Sequence, residues 1–149
     1  MDTEERGWTG AEAWIFLSIG DAGGGGEATL DRVIGAADSN NHAIPTPDEF
    51  SRAIGQLLGA RLIRVSTDRY SLTASGKALF KRINSVHRGH IQRFIETADL
   101  WRTAAPIAAE SVTWEVDQVT FRESWEQYHR WFEEWFQKHK KERNPDKGG

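Results

Sequence analysis

Residues 44–80 constrain the fold of this chain more than any other stretch. Thr46, Pro47 and Glu49 supply a helix cap, a proline at the first helical position and the returning carboxylate of a capping box. This start predicts a helix over residues 47–60. Helical spacing gives it a buried face of Phe50, Ala53, Ile54, Leu57 and Leu58, and an outward face of Asp48, Ser51, Arg52, Gly55, Gln56 and Gly59.

A β-hairpin is predicted directly after that helix. Residues 62–65 have the length and side chains of a strand, residues 66–69 those of a turn, and residues 70–73 those of the returning strand. The Leu72-Thr73 pair with Gly76 then opens another helix. A helix, a strand, a tight turn, a strand and a helix in this order form the core of a winged helix-turn-helix.

Two helices are expected before this core. Thr9 and Glu12 form a capping box, which predicts a first helix that runs to about Gly20 and is apolar nearly all round. Such a helix is buried on several sides. Glycines at 23–26 predict a flexible connection, and residues 29–38 fit a short amphipathic helix. We therefore predict a flexible N-terminus at residues 1–8 and a winged helix-turn-helix domain at residues 9–100.

The last third of the chain predicts a linker and an aromatic helix. Residues 101–119 form the linker, in which residues 112–116 alternate between apolar and polar, a pattern that fits a short strand or a half-buried loop. Thr120 with Glu123 predicts an amphipathic helix at 120–140, followed by a disordered tail at 141–149. Its aromatic stripe comprises Phe121, Trp125, Tyr128, Phe132, Trp135 and Phe136.

The stripe has three interpretations. The helix folds back onto its own domain, or it pairs with a second copy to form a homodimer. The third interpretation is a small-molecule pocket walled by Trp114, Trp125 and Trp135. The fold class expected from the whole sequence is mainly α with a small β-hairpin wing, plus this C-terminal amphipathic helix.

The charge is distributed unevenly along the chain. The formal net charge is −3, but residues 52–93 carry nine basic and one acidic side chain, whereas residues 1–51 carry two basic and ten acidic ones. A basic block in an acidic protein is typical of a phosphate-binding face. The alternative is a solvated face whose counter-charges lie on neighbouring helices.

Double-stranded DNA is the partner that this block favours. Arg52 and Gln56 lie one turn apart on the outward face, where arginine suits guanine and glutamine suits adenine. Ser51 is placed for a phosphate. The hairpin and the next helix offer further phosphate contacts through Arg64, Arg69, Lys77, Lys81 and Arg82.

Residues 48–80 resemble the recognition helix, hairpin and following helix of PadR-like and MarR-like bacterial transcriptional regulators, and most closely those of small uncharacterised winged-helix proteins. The shared mark is LTxxG, present here as Leu72, Thr73 and Gly76. The resemblance covers about residues 10–90. It implies DNA binding as a dimer and a role in transcription regulation. From the residues themselves we expect no cofactor and no metal site. A winged-helix protein-interaction module that does not bind DNA is the alternative.

Other classes of function find little in the sequence. We expect no enzyme, because no nucleophile signature or phosphate-binding loop is present. No apolar run is long enough to span a membrane and no signal peptide is present, so we expect a cytoplasmic protein. The absence of cysteine agrees with that location. The sequence does not decide whether a small-molecule effector binds.

Overall fold

The computed structural model describes residues 10–41, 43–84 and 112–143. In these ranges the chain is mainly helical, with five helices and one three-stranded antiparallel sheet. The elements are α1 (Gly10–Gly23), β1 (Ala28–Thr29), α2 (Leu30–Asn41), α3 (Pro47–Gly59), β2 (Ile63–Ser66), β3 (Arg69–Leu72), α4 (Ala74–Asn84) and α5 (Gln118–Arg143). The predicted flexible N-terminus at residues 1–8 lies outside the described residues, as does the part of the predicted domain after residue 84.

Helix α1 is the centre of the core. Its side chains from Ala13 to Ile19 are all buried, and the Trp14 indole nitrogen donates a hydrogen bond to the carbonyl oxygen of Ala37 at 2.8 Å. The expectation of a helix buried on several sides is confirmed. The helix continues to Gly23 instead of ending near Gly20, and its predicted cap at Thr9 lies outside the described residues.

Helix α3 begins as the sequence predicts. The Thr46 hydroxyl accepts a hydrogen bond from the Glu49 amide at 3.1 Å, and the Glu49 carboxylate accepts one from the Thr46 amide at 3.0 Å. At the other end, Arg61 adopts a left-handed conformation with φ of 59°. This lets the amide of Leu62 donate to the carbonyl of Leu57 at 3.1 Å and so closes the helix.

The hairpin is present, with each strand shifted by one residue from its predicted bounds. In the antiparallel pairing, Ile63 lies opposite Leu72 and Ser66 lies opposite Arg69, so Thr67 and Asp68 form the turn. A third strand, β1, pairs with β3 and gives the order β1-β3-β2. The sequence did not predict β1, because a strand of two residues is too short to show alternation.

Thr73 and Gly76 join the hairpin to helix α4. The Thr73 hydroxyl accepts a hydrogen bond from the Gly76 amide at 3.1 Å and donates one to the carbonyl of Arg61 at 2.7 Å. Gly76 lies so close to the backbone of Leu62 that a side-chain carbon there would overlap the Leu62 carbonyl oxygen. Thr73 and Gly76 of the LTxxG motif therefore hold α4 against the end of α3.

Helix α5 starts earlier and ends later than predicted. Its first residue is Gln118, and the Asp117 carboxylate accepts hydrogen bonds from the Thr120 amide at 2.9 Å and the Thr120 hydroxyl at 2.8 Å. The predicted cap at Thr120 is therefore wrong by one turn. Because the helix runs to Arg143, the predicted disordered tail is also wrong for residues 141–143, and residues 144–149 lie outside the described ranges.

The first half of α5 folds back onto the domain. Phe121 is 5% exposed and its ring lies 5.7 Å from that of Phe50, while the Tyr128 hydroxyl donates a hydrogen bond to Asp38 at 2.7 Å. Gly35 makes room for the Tyr128 ring. Aromatic side chains of the second half remain exposed, by 57% for Trp131, 39% for Phe132, 42% for Trp135 and 44% for Phe136. The fold-back interpretation is correct for half of the helix only.

Candidate nucleic-acid interface

The outer face of the hairpin carries two arginines. Along β2, Ile63 points into the core and Arg64 points out, and along β3, Tyr70 is buried while Arg69 is exposed. Because side chains alternate along a strand, Arg64 and Arg69 lie on the same, outward side of the hairpin. The structure therefore brings these two predicted phosphate contacts together.

The neighbouring helix adds exposed cations. Lys77 and Lys81 are four residues apart in α4 and so share a helix face, and Arg82 is exposed beside Lys81. From residue 52 to residue 84 the only acidic side chain is Asp68, in the hairpin turn. All seven basic side chains of this stretch are exposed, namely Arg52, Arg61, Arg64, Arg69, Lys77, Lys81 and Arg82.

The outward face of α3 is covered by the segment that leads into α5. Residues 112–116, which we call the strap, run along it without forming a strand. The Val112 amide donates a hydrogen bond to the carbonyl of Gly55 at 3.1 Å, and the Val116 amide donates one to the Ser51 hydroxyl at 3.0 Å. The possible short strand is thus an extended loop, and the half-buried alternative is correct.

The strap limits the exposure of the residues predicted to contact DNA from α3. Gln56 is 6% exposed, and the Ser51 hydroxyl already accepts a hydrogen bond from the strap. The strap lies along this face, so Gln56 is buried and Ser51 is half-buried, and the prediction of an outward, open position is wrong for Gln56. Arg52 remains exposed at the edge of the same face.

Aromatic packing anchors the strap. The ring of Trp114 meets those of Phe50 and Tyr70 edge to face, at centroid distances of 6.0 Å and 6.1 Å. Val116 is 7% exposed, and both side chains pack against the main core. Phe50 and Tyr70 also meet edge to face, so the strap extends an aromatic cluster that already joins α3 to the sheet.

Gly55 is the sequence signal within α3 for this cover. A side-chain carbon at Gly55 would overlap the backbone carbonyl oxygen of Val112, so the strap can approach only because this residue is glycine. A bare glycine on an outward helix face indicates close approach of some other backbone. The identity of that backbone is set by a contact about sixty residues away along the chain, which no local pattern reveals.

A second groove lies between α2 and α5. It has a volume of about 850 Å³ and is lined by Tyr128, Trp131, Phe132 and Trp135 on one side and by α2 on the other. Trp114 lies in a different depression, beside α3, and Trp125 lines neither. The predicted pocket walled by Trp114, Trp125 and Trp135 is therefore wrong as a single site.

Tyr70 in β3 and Tyr128 in α5 both have a raised pKa and stay protonated at neutral pH. Burial, with a smaller effect from the charge of Asp68, raises the pKa of Tyr70 well above its usual range. Burial and then the hydrogen bond to Asp38 raise the pKa of Tyr128 in the same direction. The Tyr128 hydroxyl is thus held in the form that donates to Asp38.

The described residues contain no group of three His, Asp or Glu side chains placed to hold a metal ion. Within the same ranges, no helix combines the length and the apolar character needed to cross a membrane. Comparison of the chain with known protein families, with curated proteins and with solved structures found no match.

Proposed function

We propose that this chain is a winged helix-turn-helix protein that binds double-stranded DNA and regulates transcription as a homodimer. The order of the elements, which is three helices, a β-hairpin and a further helix, supports this proposal, as does the sheet order β1-β3-β2 with β2 at one edge. The LTxxG residues Thr73 and Gly76 fix the hairpin against the end of α3.

The observation that carries the DNA proposal is the exposed basic surface of the hairpin and α4. Arg64 and Arg69 point away from the core on one side of the hairpin, and Lys77 and Lys81 share one face of α4. Side chains of this kind neutralise phosphates and release counterions, which makes binding steeply salt-dependent and largely independent of base sequence. We infer that the hairpin and α4 hold the DNA backbone.

Titration of the full chain with a labelled mixed-sequence duplex tests this proposal. We expect binding at low salt that weakens as salt rises, and we expect Arg64→Ala combined with Arg69→Ala to reduce the slope of log affinity against log salt by up to about 2. The matched control combines Arg122→Ala with Arg130→Ala, two exposed arginines of α5. An absence of binding at low salt, or equal losses in both double variants, would contradict the proposal.

One observation favours the alternative of a protein-interaction module. The face of α3 that a DNA-reading helix needs is in contact with polypeptide, through Ser51 and Gly55. A module of this kind would use the same face for a protein segment and would leave the duplex unbound. Its distinguishing result is a folded protein that binds no duplex at low salt even after the strap has been weakened.

The homodimer is proposed from the exposed end of α5. Four large aromatic side chains, Trp131, Phe132, Trp135 and Phe136, lie in the last half of the helix with 39–57% of their surface exposed. Contiguous exposed aromatic surface of this kind marks contact sites on proteins. A second copy would cover it and would supply the second DNA-contacting surface that a dimeric regulator uses.

A further inference from the structure

We propose that the strap is an autoinhibitory contact, which keeps α3 from entering the major groove until residues 112–116 leave it. The inference rests on the proposed DNA-binding function and adds a regulatory device to it. In the closed form, the hairpin and α4 bind DNA through phosphates alone. In the open form, α3 gains access to base edges through Arg52 and Gln56.

The geometry of the strap makes the two forms mutually exclusive. Its backbone amides donate hydrogen bonds to Gly55 and Ser51, which lie one turn apart on the face of α3 that would meet the bases. The major groove is about 12 Å wide and admits one helix. A helix that already carries an extended chain on its contact face is too thick to enter the groove.

The charge of the strap also opposes DNA. Glu115 is exposed, and it lines the same depression as Asp48 and Arg52. A carboxylate at this place lies where a phosphate would approach α3, so the closed strap repels DNA as well as blocking it. Release of the strap removes both obstacles at once.

The attachment of the strap is slight enough to be reversible. It forms no strand, and two backbone amides, those of Val112 and Val116, donate hydrogen bonds to α3. The side chains of Val112, Thr113 and Glu115 are exposed. Trp114, itself only half-buried, and Val116 supply the apolar anchors. Loss of the Trp114 ring should therefore release the strap from α3, while the core around α1 remains intact.

The test compares duplex binding of the full-length wild type with that of Trp114→Ala, under one salt condition and with the mixed-sequence duplex. We expect affinity to rise roughly tenfold, because the open form adds base contacts from α3 to the phosphate contacts that the closed form already makes. The control is Thr113→Ala, which removes an exposed side chain from the same strap and leaves the anchor in place.

Gly55→Ala opens the strap by a second route. The added methyl overlaps the Val112 carbonyl, whereas alanine itself favours the helix, so this variant keeps α3 folded if Trp114→Ala does not fold. Gln56→Ala provides a further check. Combined with Trp114→Ala, it should reduce the gain, because Gln56 is buried in the closed form and reaches base edges only in the open form.

The outcomes separate this inference from the function on which it rests. The inference is overturned if folded Gly55→Ala binds duplex with wild-type affinity, and if Trp114→Ala does the same where that variant folds. In that case, salt-dependent binding through Arg64 and Arg69 would still uphold the proposed function. If neither the wild type nor any strap variant binds duplex, both are overturned. A gain in the strap variants that Gln56→Ala reduces would support both.

Discussion

Gly76 tolerates a larger side chain less well than the exposed positions around it. A methyl group there would overlap the carbonyl oxygen of Leu62 and lie 3.3 Å from the side chain of Leu72, and the overlapped atom is backbone. We expect Gly76→Ala to lower the free energy of unfolding by roughly 1–3 kcal/mol, as overpacked sites do, although alanine favours helices.

Ser75→Ala is the control for this substitution, because Ser75 is exposed in the same turn of α4. It should change the free energy of unfolding by less than about 0.5 kcal/mol. Urea denaturation of the three proteins measures both effects. Equal stability of Gly76→Ala and the wild type would show that α4 moves freely relative to Leu62.

Thr67 is strained at the tip of the hairpin. Its φ of 57° is left-handed, a conformation that costs a side chain branched at the β-carbon more than it costs glycine. We expect Thr67→Gly to raise the free energy of unfolding by roughly 0.5–1 kcal/mol after the greater freedom of glycine in the unfolded chain is counted.

Thr67→Ala serves as the matched control, because it removes the branched group and keeps the β-carbon. Thermal unfolding should rank Thr67→Gly above both the wild type and Thr67→Ala. A lower midpoint for Thr67→Gly than for Thr67→Ala would mean that the turn relaxes without the left-handed residue.

At the scale of elements, local signals were predictable and long-range contacts were not. The capping box of Thr46 and Glu49 joins residues three positions apart, so the sequence predicted it, and the structure contains it. In the strap, the Val116 amide donates a hydrogen bond to Ser51, which is 65 residues away along the chain. Every residue except proline has such an amide, so the sequence carries no local sign of this contact. Periodicity therefore predicted an outward α3 face that the fold covers.

The start of α5 shows a subtler limit. Thr120 and Glu123 match a capping box, but Asp117 competes for the same role and receives both the amide and the hydroxyl hydrogen of Thr120. Thr120 therefore lies inside the first turn. Two overlapping cap patterns within four residues were not separable by spacing alone, although the existence and the aromatic stripe of the helix were predictable.

The cap at Asp117 gives α5 a dependence on acid. Hydrogen bonds from Thr120, first from its amide and then from its hydroxyl, lower the pKa of the Asp117 carboxyl. The ionised group therefore stabilises the folded state above the ordinary aspartate pKa of about 3.9, and this contribution is lost as the pH falls through the lowered folded-state pKa.

We expect the midpoint of thermal unfolding to fall more steeply from about pH 5 to about pH 3 in the wild type than in Asp117→Asn, which caps a helix without titrating. Calorimetry across this range measures the difference. Parallel pH profiles for the two proteins would show that the cap does not contribute to stability.

At the scale of the whole molecule, the exposed half of α5 predicts self-association. We expect the wild type to sediment as a dimer and the combination of Trp131→Ala with Trp135→Ala to sediment as a monomer, since 57% of Trp131 and 42% of Trp135 are exposed in the single chain. Glu126→Ala, an exposed position on the same helix, should remain dimeric. A monomeric wild type at high concentration would contradict the proposed homodimer.

The whole molecule combines a basic surface with a helix, α3, that the strap covers. The central proposal is that the basic surface of the hairpin and α4 binds DNA. Backbone amide shifts of the wild type, followed by NMR during titration with a mixed-sequence duplex, test that claim residue by residue. We predict that the largest shifts occur at Arg64, Arg69, Lys77 and Lys81, and that they disappear as salt is raised. Shifts confined to α5, or no shifts at low salt, would contradict it.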